Sequence, residues 1–502
     1  MKRLGWSLAF FIGFLSLSQE ILWVRVVTFA HQGVPHSFAL VLAVFLFGVA
    51  SGATAGKRLC GRWPLSADTA VAWCLLAGGV LDLLVPWLVS RVAGSEWLSV
   101  TMGVLIYMSA ALKAMAFPVA HHLGSDAGGS YLGRSVARVY ALNIVGSTLG
   151  ALLTGYALLD HVSVSSGFTL VGTATLVMGL VSLRRGCPGC VWIAPAGVVG
   201  VIATADPDDR TLVVAASRHA PGRIKTIIEN RHGIIHVVDD GAGVGDVVYG
   251  GNVYDGRTNI DLRLNSNRVD RVYLLAALHP APRKVLVIGL STGAWARILS
   301  TLPSLSQMDV VEINPGYLSL IAAYPHLSPL LDDQRVQVHI DDGRRWLRRH
   351  PAERFDLIVM NTTFHWRANI TNLLSREFME IARSRLAPGG IVAFNATGSA
   401  DALATAAAVF PHAYRWSNFV YAAEQDFRAV PPQAADRLAA LRLGAEAFDL
   451  GRSTDRLLLN DMLAKPFASV HEVEIESGRA LAVITDANML TEFKYGRRLR
   501  LD

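Results

Sequence analysis

The chain has 502 residues, of which 52% are hydrophobic and 17% charged, with a formal net charge of +6. Its mean hydropathy of +0.36 is positive, which sets it apart from an ordinary soluble enzyme of this length. Residues 1–205 hold 12 Lys plus Arg against 6 Asp plus Glu, and the remainder holds 34 of each, so the basic balance belongs to the apolar half. A soluble part with no net charge excludes a protein that binds nucleic acid through a basic domain.

Residues 1–205 read as a helical membrane domain. Apolar runs near 5–29, 36–56, 69–91, 97–120, 139–160 and 162–183 each approach the roughly 20 residues needed to cross a bilayer. Lys2 and Arg3 precede the first run as in a signal peptide, but the run is long and no small-residue cleavage site follows, which implies an uncleaved anchor. Lys2, Arg3, Lys57, Arg58, Arg62, Arg134, Arg138, Arg184 and Arg185 fall in alternate loops, and the opposite loops offer only Arg91. This asymmetry places the N-terminus and those loops in the cytoplasm. Six spans return the chain to that side. The expected location is therefore multi-pass in a cell inner membrane, with the soluble domain cytoplasmic. The run at 190–205 is short and contains Pro195, so a re-entrant or interfacial segment is favoured there, although tilt would let it span.

Several polar residues interrupt these runs. Glu20 and Arg25 share the first, Asp82 lies in the third and Lys113 in the fourth. Asn143, Gly146 and Gly150 make a small-residue face suited to close helix packing. Two readings stay open: a buried ion pair with structural polar contacts, or a cavity for a headgroup or solute. Cys187-Pro188-Gly189-Cys190 is a lone C-x-x-C that cannot fill a four-ligand zinc site, and no metal site is expected.

Asp206-Pro207-Asp208-Asp209-Arg210 marks the boundary with the soluble part. Two strand-like runs around Asn230-Arg231-His232-Gly233 predict a hairpin within 223–239. Gly241 to Asn259 is glycine-rich and reads as a loop over a site, with Asn252, Tyr254 and Asp255 as its best substrate contacts. The division drawn is a membrane domain at 1–205, a small β-rich region at 206–282, a Rossmann-like nucleoside-binding domain at 283–430, and a tail at 431–502 that packs on it.

The Rossmann-like reading rests on five apolar runs. The first, Lys284 to Ile288, ends in the turn Gly289-Leu290-Ser291-Thr292-Gly293. The second ends in Glu312, at the spacing from Gly289 where an acid grips ribose hydroxyls in a βαβ unit. The turn lacks the third glycine of the dinucleotide pattern, so a nucleoside without a pyrophosphate fits better than NAD. The third run, Val336 to Ile340, ends in Asp341-Asp342-Gly343; the fourth, Phe355 to Met360, ends in Asn361-Thr362-Thr363; the fifth, Ile391 to Asn395, follows Ala387-Pro388-Gly389-Gly390. Helical patterns at 315–324 and 375–386 alternate with them. This predicts a doubly wound, mainly parallel α/β sheet with its ligand beyond the carboxyl ends of the strands.

Residues 220 to 425 resemble a spermidine synthase-like polyamine aminopropyltransferase domain. The likeness is carried by Lys284-Val285-Leu286-Val287-Ile288-Gly289, Val311-Glu312-Ile313, Asp332-Asp333-Gln334-Arg335-Val336, Asp342-Gly343 and Phe355-Asp356-Leu357-Ile358. Tyr254-Asp255-Gly256 and His279-Pro280 also stand where that family places an acidic turn and the lead-in to its first strand. Gln19-Glu20, Trp23-x-Arg25 and the segment Ile484 to Leu490 are similar to parts of membrane-fused relatives. The resemblance implies S-adenosylmethionine or its decarboxylated form as cofactor, with methylthioadenosine as product. Gly289, Ser291 and Gly293 would form the nucleoside loop, Glu312 would hold the ribose, and Asp342 with Gly343 would face the adenine.

The chain departs from that family where an acceptor amine is held. The family ends its fourth strand in a D-S-S-D-like motif, and here the same place reads Asn361-Thr362-Thr363-Phe364. A neutral Asn is a poor base, and no carboxylate remains at those positions to attract a polycation. The candidates that replace them are Asn361, His365 as a base near neutral pH, Arg367 for an anionic group, and Trp366 for stacking. The reading reached is a membrane-bound transferase that moves an aminopropyl, methyl or related group to a small amine or a membrane-associated lipid acceptor. Its partners would be the lipid bilayer and that small molecule; a homodimer is compatible with it. The alternative is a non-catalytic sensor or transporter that binds a nucleoside or polyamine.

Overall fold

The computed structural model describes residues 2–62, 67–92, 95–125, 132–186, 213–214, 217, 222–441 and 448–497. The chain divides into two compact units: Met1–Ala220 with Glu229–Ile234 and Leu499–Asp502, and Pro221–Ile228 with Ile235–Arg498. The run at 190–205, the boundary turn at 206–210 and the Cys187–Cys190 pair lie outside the described residues.

The first unit contains α1 (Lys2–Ala30), α2 (His36–Arg62), α3 (Ala67–Arg91), α4 (Leu98–Gly124) and α5 (Leu132–Leu153). A π-helical turn (Thr154–Leu158) and a last turn α6 (Leu159–His161) continue α5, and α7 (Val164–Gly186) follows. Among the described residues, six helices are long and apolar enough to cross a membrane, at the places where the sequence puts them. Their ends run past the apolar runs. α2 continues through Lys57 and Arg58, and α5 begins before Arg134, because these are good helix formers at positions that hydropathy alone leaves out.

Small residues bring α1 and α5 together. A Cβ on Gly146 would lie 2.0 Å from the Phe10 carbonyl oxygen, and one on Gly150 would lie 2.1 Å from that of Phe14. Asn143 Nδ2 donates to Ala9 O at 2.9 Å. The polar interruptions also find partners. Lys113 Nζ lies 2.5 Å from Asp82 Oδ2 and 2.9 Å from Gln19 Oε1, and Gln19 Nε2 donates to Asp82 Oδ1. Three helices thus share one buried polar triad. Arg25 does not complete the loose pairing with Glu20 that their spacing allows; its Nη1 donates to Arg231 O at 3.4 Å within the same unit.

The second unit holds two sheets. The small one has the order β1-β2-β3-β4, from β1 (Arg223–Asn230), β2 (Gly233–Asp239), β3 (Val247–Gly250) and β4 (Val253–Arg257). The hairpin within 223–239 is therefore present. The segment 241–259, read as a loop, contains a second hairpin. Gly251 at φ +60° and Asn252 at φ +64° form its two-residue turn, the geometry that matches strand twist.

After α8 (Asp270–Leu278) come β5 (Lys284–Ile288), α9 (Ala294–Leu299), β6 (Gln307–Glu312), α10 (Gly316–Ala322), α11 (Pro329–Asp332), β7 (Val336–Ile340), α12 (Gly343–Arg349) and β8 (Phe355–Met360). α13 (Thr371–Leu374), α14 (Arg376–Arg383), β9 (Leu386–Asn395), α15 (Ala400–Ala407), β10 (His412–Trp416) and β11 (Phe419–Ala423) complete the large sheet and its helices. Its order is β10-β11-β9-β8-β5-β6-β7. The five strands from β9 to β7 run parallel, as the alternation of apolar runs and helices predicts. Val285, Leu286, Val287, Leu357, Ile358 and Val359 are all buried, as strands covered on both faces require.

Two features differ from the sequence reading. β10 and β11 add an antiparallel edge; β10 mixes polar and aromatic residues, whereas β11 (Phe419–Ala423) is a short buried apolar run that the sequence reading does not take up as a strand. β9 starts before the Ala387–Gly390 turn rather than after it. The ladder shifts register between Phe355↔Leu386 and Leu357↔Ile391, so the turn is looped out inside the strand with Gly389 at φ +81°. Beyond the sheet, α16 (Ala434–Ala439), α17 (Ser453–Ala464), α18 (Val470–Ser477) and α19 (Leu490–Phe493) form the tail.

Candidate active site

β6 and β8 flank β5 on opposite sides, so the crossovers leaving the carboxyl end of β5 part there and open a crevice. Gly289 occupies this point. Its N–H donates to Val311 O at 2.9 Å, and Asn361 N donates to Ile288 O at 2.8 Å. Gly289 has φ +85°, and a Cβ there would lie 2.6 Å from the Asn361 carbonyl oxygen. Only glycine fits both constraints. Gly293 has φ +78°, with Ile321 Cδ1 2.6 Å from where a Cβ would sit. Ser291, at φ +50°, donates through Oγ to Asp255 O at 3.0 Å, which ties the turn to β4.

Glu312 ends β6 and is 4% exposed. Its carboxylate accepts from Leu290 N at 2.6 Å and from Asn314 N at 2.7 Å. Burial nevertheless pushes its pKa up to about 7; those N–H groups pull it down, while the nearby Asp255 adds to the rise. The carboxylate is held against the glycine turn by these two bonds. Asp342 follows β7 and caps α12, accepting from Arg345 N at 2.8 Å. Gly343 packs under the turn, since a Cβ there would lie 2.4 Å from Ile288 Cγ2.

A second group faces the first. Tyr317 Oη donates to Asp255 Oδ2 at 2.5 Å. Arg367 Nη1 donates to Thr363 Oγ1 at 2.9 Å and to Gly250 O at 3.2 Å. The β3–β4 corner makes room for these side chains: a Cβ on Gly250 would lie 2.4 Å from Tyr317 Oη, and one on Gly251 would lie 2.5 Å from Arg367 Nη2. Burial raises the pKa of Asp255, while the Tyr317 bond and the Arg367 charge oppose that rise. Burial lowers that of Arg367 and raises that of Tyr317 well above its ordinary value.

His365 lies on the same loop. Its Nδ1 is 2.9 Å from Thr397 O, and a carbonyl only accepts, so Nδ1 carries the proton and Nε2 is the basic nitrogen of the neutral ring. Burial lowers the pKa of His365, partly offset by that bond, and keeps the ring neutral at neutral pH. Thr397 Oγ1 donates to Thr363 O at 3.1 Å, which connects the His365 anchor to the Arg367 anchor. Trp366 lies 5.6 Å from Phe364, centroid to centroid, with Arg497 5.2 Å from the Trp366 ring.

The structure thus gathers Gly289, Ser291, Gly293, Glu312, Asp255 and Arg367 around one crevice, and hydrogen-bonds the Arg367 and His365 segments together. Asn252 is 3% exposed and sits in the hairpin turn at φ +64°. Tyr254 is 45% exposed and packs edge-on against Tyr249. Tyr317, Thr397 and the Gly250–Gly251 corner carry no motif that sequence reasoning would single out; the chain meets them only through the fold.

Residues 272–404 match the spermine/spermidine synthase domain family. Polyamine aminopropyltransferase 2 of Streptomyces coelicolor is 29% identical over 387 residues, covering 72% of this chain and 68% of that protein. The polyamine aminopropyltransferase of Mycobacterium tuberculosis H37Rv is 29% identical over 296 residues, covering 54% of this chain and 53% of that protein. That of Streptococcus uberis is 32% identical over 124 residues, covering 24% and 43%. The chain therefore spans about two thirds of the first relative and about half or less of the other two. Among solved structures, a spermidine synthase in complex with the transition-state analogue AdoDATO aligns over 51% of this chain and 88% of that one, at 17% identity and a TM-score of 0.40.

Proposed function

We propose that this chain, whose C-terminal part is a spermine/spermidine synthase domain, transfers an aminopropyl group from decarboxylated S-adenosylmethionine to a primary amine that is not a polycation. The observation that carries this reading is the meeting of the Gly289 turn, Glu312 and Asp255 at the switch point of the parallel sheet.

The residues present fit an adenosyl nucleoside. Gly289 and Gly293 let the turn pack closely on Asn361 and Ile321, and Glu312 offers a buried carboxylate to a diol. The donor, when bound, supplies an activated carbon next to a sulfonium, whose C–S bond breaks with its electron pair left on sulfur as methylthioadenosine forms. Glu312 orients the ribose. Asp255 and Tyr317 present a polar wall beside Ser291. His365 Nε2 takes the proton that the acceptor ammonium must lose before its nitrogen can attack, and burial keeps the ring neutral and free to accept it at neutral pH. Holding the acceptor nitrogen in line supplies much of the remaining acceleration.

Arg367 supports the choice of acceptor. A guanidinium sits on the loop where family relatives carry acids, so an amine bearing a carboxylate or phosphate suits it, a headgroup amine included. The six apolar helices support a membrane setting, and the positive loops support a cytoplasmic catalytic unit, which a cytosolic donor also requires.

The test is release of methylthioadenosine by the full chain in nanodiscs, with putrescine, an ω-amino acid and an ethanolamine-headed lipid as acceptors. Product with the second or third, and little with putrescine, is expected. No methylthioadenosine above the blank with any of them overturns the proposal. A reporter fused after Asp502 checks the side of the membrane, and an external signal removes the donor supply.

A further inference from the structure

We infer that the C-terminal tail is a clasp that positions the loop after β8, with Glu492 as the positioning residue for the acceptor side of the site. This inference rests on the transferase reading, because that loop carries Asn361, His365 and Arg367. Between Met360 and Thr371 the loop has no helix or strand; Arg367 N and Ile370 N bond within it, to Phe364 O and Arg367 O, and other amides find partners elsewhere.

Glu492, 1% exposed on α19, supplies two of those partners. Its Oε2 accepts from Asn369 N at 3.0 Å and its Oε1 from Thr371 N at 2.9 Å. Asn369 is held at φ +70°, in the left-handed region that Asn tolerates better than most residues. Thr371 begins α13, and the residue at that helix's cap position, Ile370, makes no side-chain cap bond. A carboxylate from the far end of the chain thus does for α13 what a local cap side chain does for other helices.

Arg497 adds a second contact, its guanidinium 5.2 Å from the centre of the Trp366 ring. The rest of the tail is fixed behind them. Asp486 accepts two bonds from Arg344, at 2.7 and 2.5 Å, and Ile484 O accepts from Arg376 N at 2.8 Å. The tail therefore holds the loop at Trp366, Asn369 and Thr371, next to Asn361, His365 and Arg367 in sequence. The nucleoside side of the crevice has other supports: Gly289, Glu312 and Ser291 are tied to β4, β6 and β8. Loss of the clasp should loosen acceptor geometry and leave nucleoside affinity in place.

Glu492→Gln in the full chain tests this. Glutamine accepts through one oxygen only, so one loop amide loses its partner. Three readouts are needed: hydrogen exchange of peptides covering 361–371, calorimetry with methylthioadenosine, and KM for the acceptor. Loss of a bond to a charged acceptor corresponds to about 10- to 150-fold. Exchange in 361–371 and KM for the acceptor should rise on that scale, while methylthioadenosine affinity stays within about twofold. Arg497→Ala is the second variant, should Glu492→Gln not fold, and Arg497→Lys should restore part of its loss because lysine keeps the charge over Trp366. Unchanged loop exchange in the variant that folds, or nucleoside affinity falling in step with transfer, overturns the clasp. If no acceptor supports transfer, exchange and calorimetry still decide, so failure of the transferase reading is told apart from failure of this one.

Discussion

Tyr317 and Asp255 meet at 2.5 Å across 62 residues of chain, and the contact joins α10 to the β3–β4 hairpin at the edge of the candidate site. The phenol donates to a buried carboxylate, so it favours the ionised form and opposes the rise that burial causes. Tyr317→Phe removes that donor and should move the loss of the Asp255 proton to higher pH. If ionised Asp255 is required, the acid limb of the transfer rate shifts upward in pH. An unmoved limb would mean that Asp255 does not titrate in the working enzyme.

Glu312 gives a second pH signature. Its pKa stands at about 7 against an ordinary 4.5, so the folded unit holds this proton more tightly than the unfolded chain. The sign follows: the associated stability is present below about pH 4.5 and is lost as pH rises through about 7, to the extent of about 3 kcal/mol. Ribose hydroxyls favour the ionised carboxylate and should lower its pKa on binding. Methylthioadenosine binding near pH 7 should therefore release protons, which calorimetry in buffers of different ionisation enthalpy reads directly. Glu312→Gln should abolish that release and weaken binding by about 1.5–3 kcal/mol.

His365 sets the expectation for the acceptor chemistry. Its ring is neutral above the ordinary histidine value, so a limb due to His365 lies below about pH 6.5. His365→Ala should remove that limb and slow transfer by about 10²- to 10⁴-fold, the usual scale for a positioned base. Putrescine turnover should stay below about 1 s⁻¹. Faster turnover would show that another group takes the proton.

Much of this was legible in the residues. Strands buried on both faces announce themselves as apolar runs, and the glycines and acids that end them mark the crevice, so β5 to β9 and Gly289 and Glu312 were within reach. The β3–β4 and β10–β11 hairpins were not. Val247–Gly250 is only four residues long, and His412–Trp416 mixes polar and aromatic side chains, so neither rises above a loop; Phe419–Ala423 is apolar and was readable, but it is a single short run with no partner strand in view. Tyr317, Thr397 and Glu492 were illegible for a different reason: each acts through a partner 32 to 123 residues away, and no local pattern encodes such a pairing. In the helical unit, the spacing of Asp82 and Lys113 along their own helices could not show that Gln19 would join them.

The glycine turn can be tested against an internal control. Gly289 and Gly241 have similar positive φ, +85° and +74°, so alanine at either costs about 1 kcal/mol in backbone strain. Only at Gly289 would the new Cβ meet a fixed atom, the Asn361 carbonyl oxygen at 2.6 Å; at Gly241 nothing lies within 4 Å. Gly289→Ala should therefore weaken methylthioadenosine binding well beyond Gly241→Ala. Equal effects would mean that β8 yields and that the close approach is not a constraint.

The buried triad of the helical unit makes the last prediction. Asp82 and Lys113 are at most 1% exposed, and Gln19 bonds both. Removing one charge leaves the other buried without its counter-ion, which costs about 3–5 kcal/mol, whereas removing both can be nearly neutral. Lys113→Met and Asp82→Leu should each lower the thermal stability of the full chain in nanodiscs, and the double substitution should recover most of the loss. Gln19→Leu should fall between, because it strips hydrogen bonds but leaves the ion pair. If the double variant is no more stable than either single one, the two charges are not coupled, and the triad must be explained by something other than pairing across α1, α3 and α4.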